Sequence, residues 1–113
     1  MAYKTIYGTR DTVSVSTTDD VTDSGYAHEY EIMHGDDGTK ISFQNGTVKE
    51  KGYNGVTNEA LLAVVIHRTE ILNSKFPCEE NEVAIDFMKS ALASFEARTA
   101  NRVARNVEGT HVV

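Results

Sequence analysis

The sequence predicts an α+β fold, in which a small antiparallel β-sheet from the N-terminal half precedes a two-helix antiparallel hairpin with a long second helix. The N-terminal half contains short β-type segments separated by turn residues. The C-terminal half contains two stretches of helical apolar periodicity, separated by the only proline, Pro77. Because few residues join these stretches, the two helices are expected to lie antiparallel.

The composition indicates one ordinary soluble domain. The chain has 113 residues, of which 40% are hydrophobic and 25% charged, with a formal net charge of -6. This charge disfavours binding to DNA and to anionic membranes, so an anionic ligand has to be small and held by a local cluster of cations. Cys78 is the only cysteine, which excludes an internal disulfide and a cysteine-based zinc site within one chain. No apolar run suits a membrane span or a signal peptide, and we expect a cytoplasmic protein.

The N-terminal half contains four candidate strand segments. Residues 3–7 and 12–17 form either two short strands or part of a loose arm. Residues 29–33 and 39–43 are predicted to form a β-hairpin around the four-residue turn Gly35-Asp36-Asp37-Gly38. We therefore divide a single domain into a β-rich part (1–45), a connector (46–56) and a helical hairpin with its tail (57–113).

The first helix of the hairpin is expected to run from the N-cap Thr57 to about Asn73, where Lys75-Phe76-Pro77 interrupts it. The second helix is expected over 79–106, with glutamates in its first turn and arginines in its last two turns. Two neighbouring rows are predicted to form its core stripe: Val83, Phe87, Ala91 and Phe95, with Ala84, Met88 and Leu92. At about 1.5 Å per residue this helix is on the order of 40 Å long, so part of it must find cover outside its own protomer.

Three arginines near the end of the second helix are the strongest functional signal. Arg98, Arg102 and Arg105 have i, i+4 and i+7 spacing, with no carboxylate among them. Guanidinium groups hold phosphate oxygens in bidentate fashion and stack on purines. The structural alternative is a solvated face that complements the helix dipole. Phe76 and Asn81 lie at the other end of the hairpin, so a pocket containing both groups would be shared between antiparallel copies.

Catalytic chemistry has weak support. His28, His34, Asp36 and Asp37 lack the spacing of a known metal or acid/base motif, and the two aspartates are typical of a turn. His67 is interpreted as a partly buried or interface residue. These patterns favour a structural role for the histidines.

Five segments of the C-terminal half stand out by their wording: Asn54–Glu59 (NGVTNE), Leu61–Arg68 (LLAVVIHR), Phe76–Asn81 (FPCEEN), Arg98–Arg102 (RTANR) and Val107–His111 (VEGTH). In order and spacing they resemble a phage helical-hairpin family, the one that contains the Thoeris anti-defence protein one and the anti-CBASS protein two. The β-rich N-terminal part makes the chain more similar to the Thoeris member.

The resemblance implies a non-enzymatic sponge without cofactor or metal. Such a protein binds glycocyclic ADP-ribose, and CBASS cyclic oligonucleotides at a second kind of pocket, without cleaving them. It also implies a homohexamer built from dimers that acts in the cytoplasm of the infected bacterial host.

The resemblance also assigns site residues. Arg98, Arg102 and Asn81 correspond to ligand contacts of the family, and Arg105 extends the arginine row. The family's base-stacking aromatic falls at Ile71, so Phe76 or an aromatic residue of another chain is expected to replace it. Arg68 and Lys75 are assigned to the second nucleotide site. Two other hypotheses remain open: a phage scaffold protein whose arginines pair with Glu79, Glu80 and Glu82 of a neighbour, and a hydrolase that uses His28, His34 or His111.

Overall fold

The computed structural model describes residues 4–9, 13–19 and 27–106. Four strands precede three helices in this part of the chain, the last helix being the longest, which confirms the predicted α+β fold. The chain forms two compact units, one ending at Val56 and the other beginning at Thr57. The first contains the strands and a short helix, and the second contains the helical hairpin.

The strands form one antiparallel sheet in the order β1-β2-β3-β4. Their bounds are β1 (Lys4–Tyr7), β2 (Ser14–Thr17), β3 (Glu29–His34) and β4 (Asp37–Ser42). The two N-terminal segments are therefore strands rather than a loose arm. Tyr3 and Thr12, at which the predicted strands begin, lie outside the described residues.

The turn between β3 and β4 is shorter than predicted. Asp37 pairs with His34 and Gly38 pairs with Met33, so both belong to β4, and the turn has only two central residues, Gly35 and Asp36. Gly35 has a φ of 68°. Glycine favours this conformation at the first central position of a two-residue hairpin turn, and the twist of such a turn matches that of the strands.

The start of β3 is fixed by the carboxylate of Asp19. It accepts hydrogen bonds from the backbone amides of His28 and Glu29, each at 3.0 Å. The bond from His28 is the main reason that the pKa of the Asp19 carboxyl lies below its ordinary value, although desolvation opposes this shift. The His28 ring is buried, with Nδ1 3.9 Å from Asp19 Oδ2.

The predicted connector contains a single helical turn that the sequence analysis did not predict, α1 (Val48–Lys51). Thr47 caps it, since its hydroxyl accepts a hydrogen bond from the Glu50 amide at 3.3 Å. The rest of the connector is held by side-chain amides: Gln44 Nε2 donates to the Gly52 carbonyl at 2.8 Å, and Asn54 Oδ1 accepts from the Asn45 amide at 2.8 Å.

The hairpin consists of α2 (Asn58–Lys75) and α3 (Glu79–Ala104). Thr57 is the predicted N-cap, and its hydroxyl accepts a hydrogen bond from the Ala60 amide at 3.2 Å. An exposed ion pair of 2.9 Å between Glu70 of α2 and Lys89 of α3 connects the helices, and its hydrogen bond raises the pKa of Lys89. The two helices end at Lys75 and Ala104, each within two residues of its predicted end.

The core stripe predicted for α3 is partly wrong. Val83 is 45% exposed and Phe87 is 73% exposed, whereas Ile85 is only 8% exposed and is buried together with Ile66 of α2. A row with i, i+4 spacing rotates about 40° around a helix at each step, so its members cannot all face the same partner. The residues that do turn inward alternate spacings of three and four: Asn81, Ile85, Met88, Leu92, Thr99 and Arg102 share this inner face, with Phe95 at its edge.

Candidate functional site

The three predicted arginines do not form one exposed row. Arg98 is exposed and makes no hydrogen bond or ion pair with the residues that the structure describes. Arg102 is only 5% exposed, and Arg105 donates from Nε to Asn101 Oδ1 at 2.8 Å. Since Arg102 and Arg105 both have further interactions, neither is a free cation. Arg98 is therefore the arginine of this group that is available to a ligand.

The burial of Arg102 shows that the three arginines do not share one solvated face. Arg102 follows Thr99 by three residues and therefore occupies the inner face of α3 that contains Ile85 and Leu92. A long side chain can bury its aliphatic stem at such a position while its guanidinium group keeps polar partners. Arg102 has a structural role in this hairpin, whatever further role it plays in binding.

An open apolar groove lies on the side of the hairpin that carries Arg98. Its volume is about 410 Å³, and it is lined by Asn58, Leu61, Leu62, Val65, Ala91 and Phe95. Val65 is 48% exposed and Phe95 is 36% exposed. Arg98 follows Phe95 by three residues and Ala91 by seven, so helical spacing places it on the same side of α3. We call this surface the α2/α3 groove.

The other predicted ligand residues lie at the bend of the hairpin. Phe76 is 72% exposed, Lys75 is exposed in the last turn of α2, and Asn81 is half-buried in the first turn of α3. Asn81 and Arg98 are separated by about 26 Å along α3, given the rise of a helix. One protomer therefore does not bring the bend and the arginine end together, in line with the prediction.

A second groove follows the outer side of α2. Its volume is about 580 Å³, and it is lined by Ala63, Val64, His67, Arg68 and Ile71. Ile71 and Arg68 were predicted to belong to two different sites, yet both line this groove, which we call the α2 groove. Lys75 follows Arg68 by seven residues and so lies on the same side of the helix.

His67 lines the α2 groove and, like Ala63 and Val64, was not predicted to be a site residue. It is exposed in this structure, not partly buried. Its spacing of four residues from both Ala63 and Ile71 is the signal that could have placed it on the same surface.

His28 and His34, which were considered for catalysis, belong to the unit that contains the β-sheet. His28 is 2% exposed, and His34 Nε2 lies 2.9 Å from Thr39 Oγ1 at the end of the β-hairpin. His111 lies outside the described residues. Among the residues that the structure describes, no group of three or more metal-binding side chains is arranged to hold an ion.

Comparison with known proteins identifies the family. The family model for the Acb2/Tad1 hairpin domain matches residues 36–100, which is more than half of the chain. The chain belongs to the Acb2/Tad1 hairpin-domain family. The matched region includes the α2 groove, the bend of the hairpin and Arg98.

A curated relative supports the same assignment to the Acb2/Tad1 family. The chain is 50% identical over 72 residues to a protein named Thoeris anti-defense 1 from Bacillus phage SBSphiJ7. The match covers 63% of this chain and 51% of the relative. This chain therefore matches about half of the relative's length.

Proposed function

We propose that this protein is a phage anti-defence protein that captures immune signalling nucleotides in the infected bacterium and releases them chemically intact. The observation that carries the proposal is the family match over residues 36–100, which includes every assigned ligand residue except Arg102 and Arg105. The name of the Bacillus phage relative supports a role against Thoeris defence. The proposed ligand is glycocyclic ADP-ribose, and CBASS cyclic oligonucleotides are the second ligand class.

Arg98 is the proposed phosphate contact. A nucleotide diphosphate requires charge-assisted donors, and a guanidinium group provides two parallel N–H bonds to phosphate oxygens. Arg98 is exposed and is not engaged by the described residues, so it can bind a ligand without first breaking an ion pair. The apolar α2/α3 groove beside it offers a surface on which a base or ribose can be removed from water.

A second copy of the chain is proposed to complete the site. The large apolar side chains buried in the hairpin, within the described part of the chain, are Ile66 and Ile85, while Val65, Phe87 and Phe76 remain widely exposed. Exposed apolar surface of this kind favours association. An antiparallel neighbour would bring its Phe76 and Asn81 beside Arg98. We propose a homohexamer of such dimers, as the family resemblance implies.

The protein is proposed to hold its ligand without catalysis. His28 is 2% exposed, and His34 Nε2 lies 2.9 Å from Thr39 Oγ1 of the same β-hairpin. Arg98 and Asn81 supply hydrogen bonds but no nucleophile. The site is thus suited to binding a signal rather than to cleaving it.

The proposed place of action is the interior of the infected cell, where the signal is produced. In the part of the chain that the structure describes, none of the helices has the length and apolarity needed to cross a membrane.

The test is a calorimetric titration of wild-type protein, Arg98→Ala and the control Lys40→Ala with glycocyclic ADP-ribose. A charge-assisted hydrogen bond contributes about 1.5–3 kcal/mol, so Arg98→Ala should weaken binding by roughly 10- to 150-fold. Lys40→Ala removes one exposed positive charge from β4 and should bind like the wild type. A folded Arg98→Ala protein with undiminished affinity would contradict the site assignment.

The scaffold hypothesis makes a different prediction for the same variant. If Arg98 only joins protomers by pairing with Glu79, Glu80 or Glu82 of a neighbour, Arg98→Ala should dissociate the oligomer on a sizing column. The wild-type protein would then give no heat with the nucleotide.

A further inference from the structure

The segment between β4 and α2 contains the dipeptide Asn-Gly twice, at Asn45-Gly46 and at Asn54-Gly55. An asparagine is chemically least stable before glycine, because no β-carbon shields the backbone nitrogen that can attack its side-chain carbonyl. All four residues are exposed in this structure. The two dipeptides therefore have the same intrinsic chemistry, and a difference in their reactivity has to come from the local fold.

The side chain of Asn54 is held by the backbone of Asn45. Asn54 Oδ1 accepts a hydrogen bond from the Asn45 amide at 2.8 Å, and Asn54 Nδ2 donates to the Asn45 carbonyl at 2.7 Å. The backbone amide of Asn54 in turn donates to Gln44 Oε1 at 3.0 Å. The side-chain carbonyl of Asn54 can therefore reach the Gly55 nitrogen only after the two bonds to Asn45 are broken.

Gly55 is also held in place. A β-carbon at this position would lie 2.4 Å from the carbonyl carbon of Phe43, so the two backbones are in direct contact. Hydrogen bonds fix this contact: the Val56 amide donates to the Ser42 carbonyl at 2.9 Å, and the Gln44 amide donates to the Val56 carbonyl at 3.0 Å. The nitrogen of Gly55 therefore has little freedom to move toward the preceding side chain.

The side chain of Asn45 has no comparable restraint. Its amide group makes no hydrogen bond with the residues that the structure describes, and neither does the Gly46 nitrogen. Gly46 has a φ of 84°, and the atoms nearest to a β-carbon there would belong to the long side chain of Lys51. The side chain of Asn45 is thus free to react while its own backbone holds Asn54.

We propose that Asn45-Gly46 is a site of spontaneous deamidation and that Asn54-Gly55 is protected from the same reaction until Asn45 has reacted. In the first step the Gly46 nitrogen gives its proton to the solvent and bonds to Asn45 Cγ. The bond from Cγ to the side-chain nitrogen then breaks, and ammonia leaves after taking up a proton. Water opens the cyclic imide at either carbonyl and gives aspartate or isoaspartate. The reaction consumes one water, releases one ammonia and adds one negative charge to the chain.

Isoaspartate at position 45 would release Asn54. In isoaspartate the main chain runs through the β-carbon, so an additional carbon separates the amide and carbonyl groups of the residue. These are the two groups that the Asn54 side chain binds simultaneously. Both bonds cannot keep their geometry after this change, and the freed side chain of Asn54 becomes able to react. The two sites are therefore expected to react in order.

The test is to age the full-length protein in warm, mildly alkaline buffer and to follow both sites by mass spectrometry after tryptic digestion. Cleavage after lysine and arginine places Asn45 in residues 41–49 and Asn54 in residues 52–68, so the sites are measured separately. Because two hydrogen bonds have to break first, Asn54 should react roughly 10-fold or more slowly than Asn45. A sample aged in urea is the control, and its two sites should react at similar rates. Equal rates in the folded protein, or no acid at position 45, would overturn the proposal.

Asn45→Ser tests the order of the two reactions. Serine cannot form the cyclic imide, but it keeps the backbone amide and carbonyl that bind Asn54. Position 45 is exposed, so the variant should fold like the wild type. In the wild type the acid at position 54 should appear after a delay, and in Asn45→Ser it should not appear over the same period. If position 54 reacts equally fast in both proteins, Asn45 does not control it and the proposed protection is wrong.

Discussion

Arg98 and Arg102 are one helical turn apart, yet their surroundings differ. Arg98 is exposed and free of described partners, whereas Arg102 is 5% exposed and engaged. The difference follows from the alternating spacing of three and four residues on the inner face of α3, which includes position 102 and omits position 98. The proposed ligand contact and the stability of the protomer are therefore expected to depend on two different arginines.

Arg102→Ala is predicted to destabilise the protomer, and Arg98→Ala is not. Removing a buried arginine that has polar partners loses its packing contacts and leaves those partners unsatisfied. The free energy of unfolding should therefore fall by about 2 kcal/mol or more. The exposed Arg98 should change it by less than about 0.5 kcal/mol. Urea denaturation at a fixed protein concentration measures both values, and equal values for the two variants would contradict the assignment.

Asp19 is predicted to make stability depend on pH in the acid range. The backbone hydrogen bonds from His28 and Glu29 lower its pKa in the folded protein relative to the ordinary value of 3.8. Its contribution is therefore fully present above pH 3.8 and is lost as the pH falls through the lower folded value. Asp19→Asn should reduce the loss of stability between pH 5 and acid conditions in urea titrations. Identical slopes for the variant and the wild type would show that this carboxylate does not contribute.

At the scale of the elements, the sequence predicts the helices well because their ends carry local signals. Thr57 caps α2 and Pro77 ends it, and both act through the nearest backbone groups. The inner face of α3 was harder to predict, because Ala91 and Phe95 continue the exposed row of Val83 and Phe87 without a break in hydrophobicity. Only the packing against α2 distinguishes the rows.

The inner face of α3 can be tested by comparing Ile85→Ala with Val83→Ala. Ile85 is 8% exposed, so its truncation should cost about 2–4 kcal/mol, whereas Val83, at 45% exposure, should cost about 1 kcal/mol or less. Thermal or urea unfolding measures the two losses. If Val83→Ala lowers the free energy of unfolding as much as Ile85→Ala does, at every protein concentration, then Val83 belongs to the core of the protomer, as the sequence predicts.

The candidate site was predictable in part for similarly local reasons. Arg98 is a site residue predicted from its residue type and spacing; the structure leaves it exposed, and its role in binding stays a prediction. The resemblance assigns Ile71 and Arg68 to two different sites, because it matches each position separately. It does not consider their spacing of three residues, which places both side chains on one face of α2. A site completed by a second copy is not determined by one chain, since association depends on surfaces that the hairpin leaves uncovered.

At the scale of the whole molecule, the exposed apolar surface of the hairpin favours the proposed association with a second copy. Phe87 lies in α3 between its glutamate-rich start and its arginine end, and it is 73% exposed. If association buries it, each protomer contributes an aromatic anchor to the interface. Assembly and ligand binding would then use adjoining parts of the same helix.

Phe87→Glu is predicted to dissociate the oligomer while leaving the protomer folded. A carboxylate in an apolar interface has to be desolvated, whereas at the exposed position of a monomer it costs little. Ala93→Glu is the control, because it places the same charge on another side of α3, one turn from Lys89. Light scattering after size-exclusion chromatography should show a lower mass for the first variant alone. An unchanged mass would contradict the proposed interface.

The central claim is that the protein holds a signalling nucleotide and does not alter it. The direct measurement is to form the complex with glycocyclic ADP-ribose, remove the unbound nucleotide, heat the complex and analyse the released material by chromatography. The account predicts one retained nucleotide species that elutes unchanged after any length of incubation. A product that accumulates with time would show a hydrolase, and the absence of any retained nucleotide would contradict capture altogether.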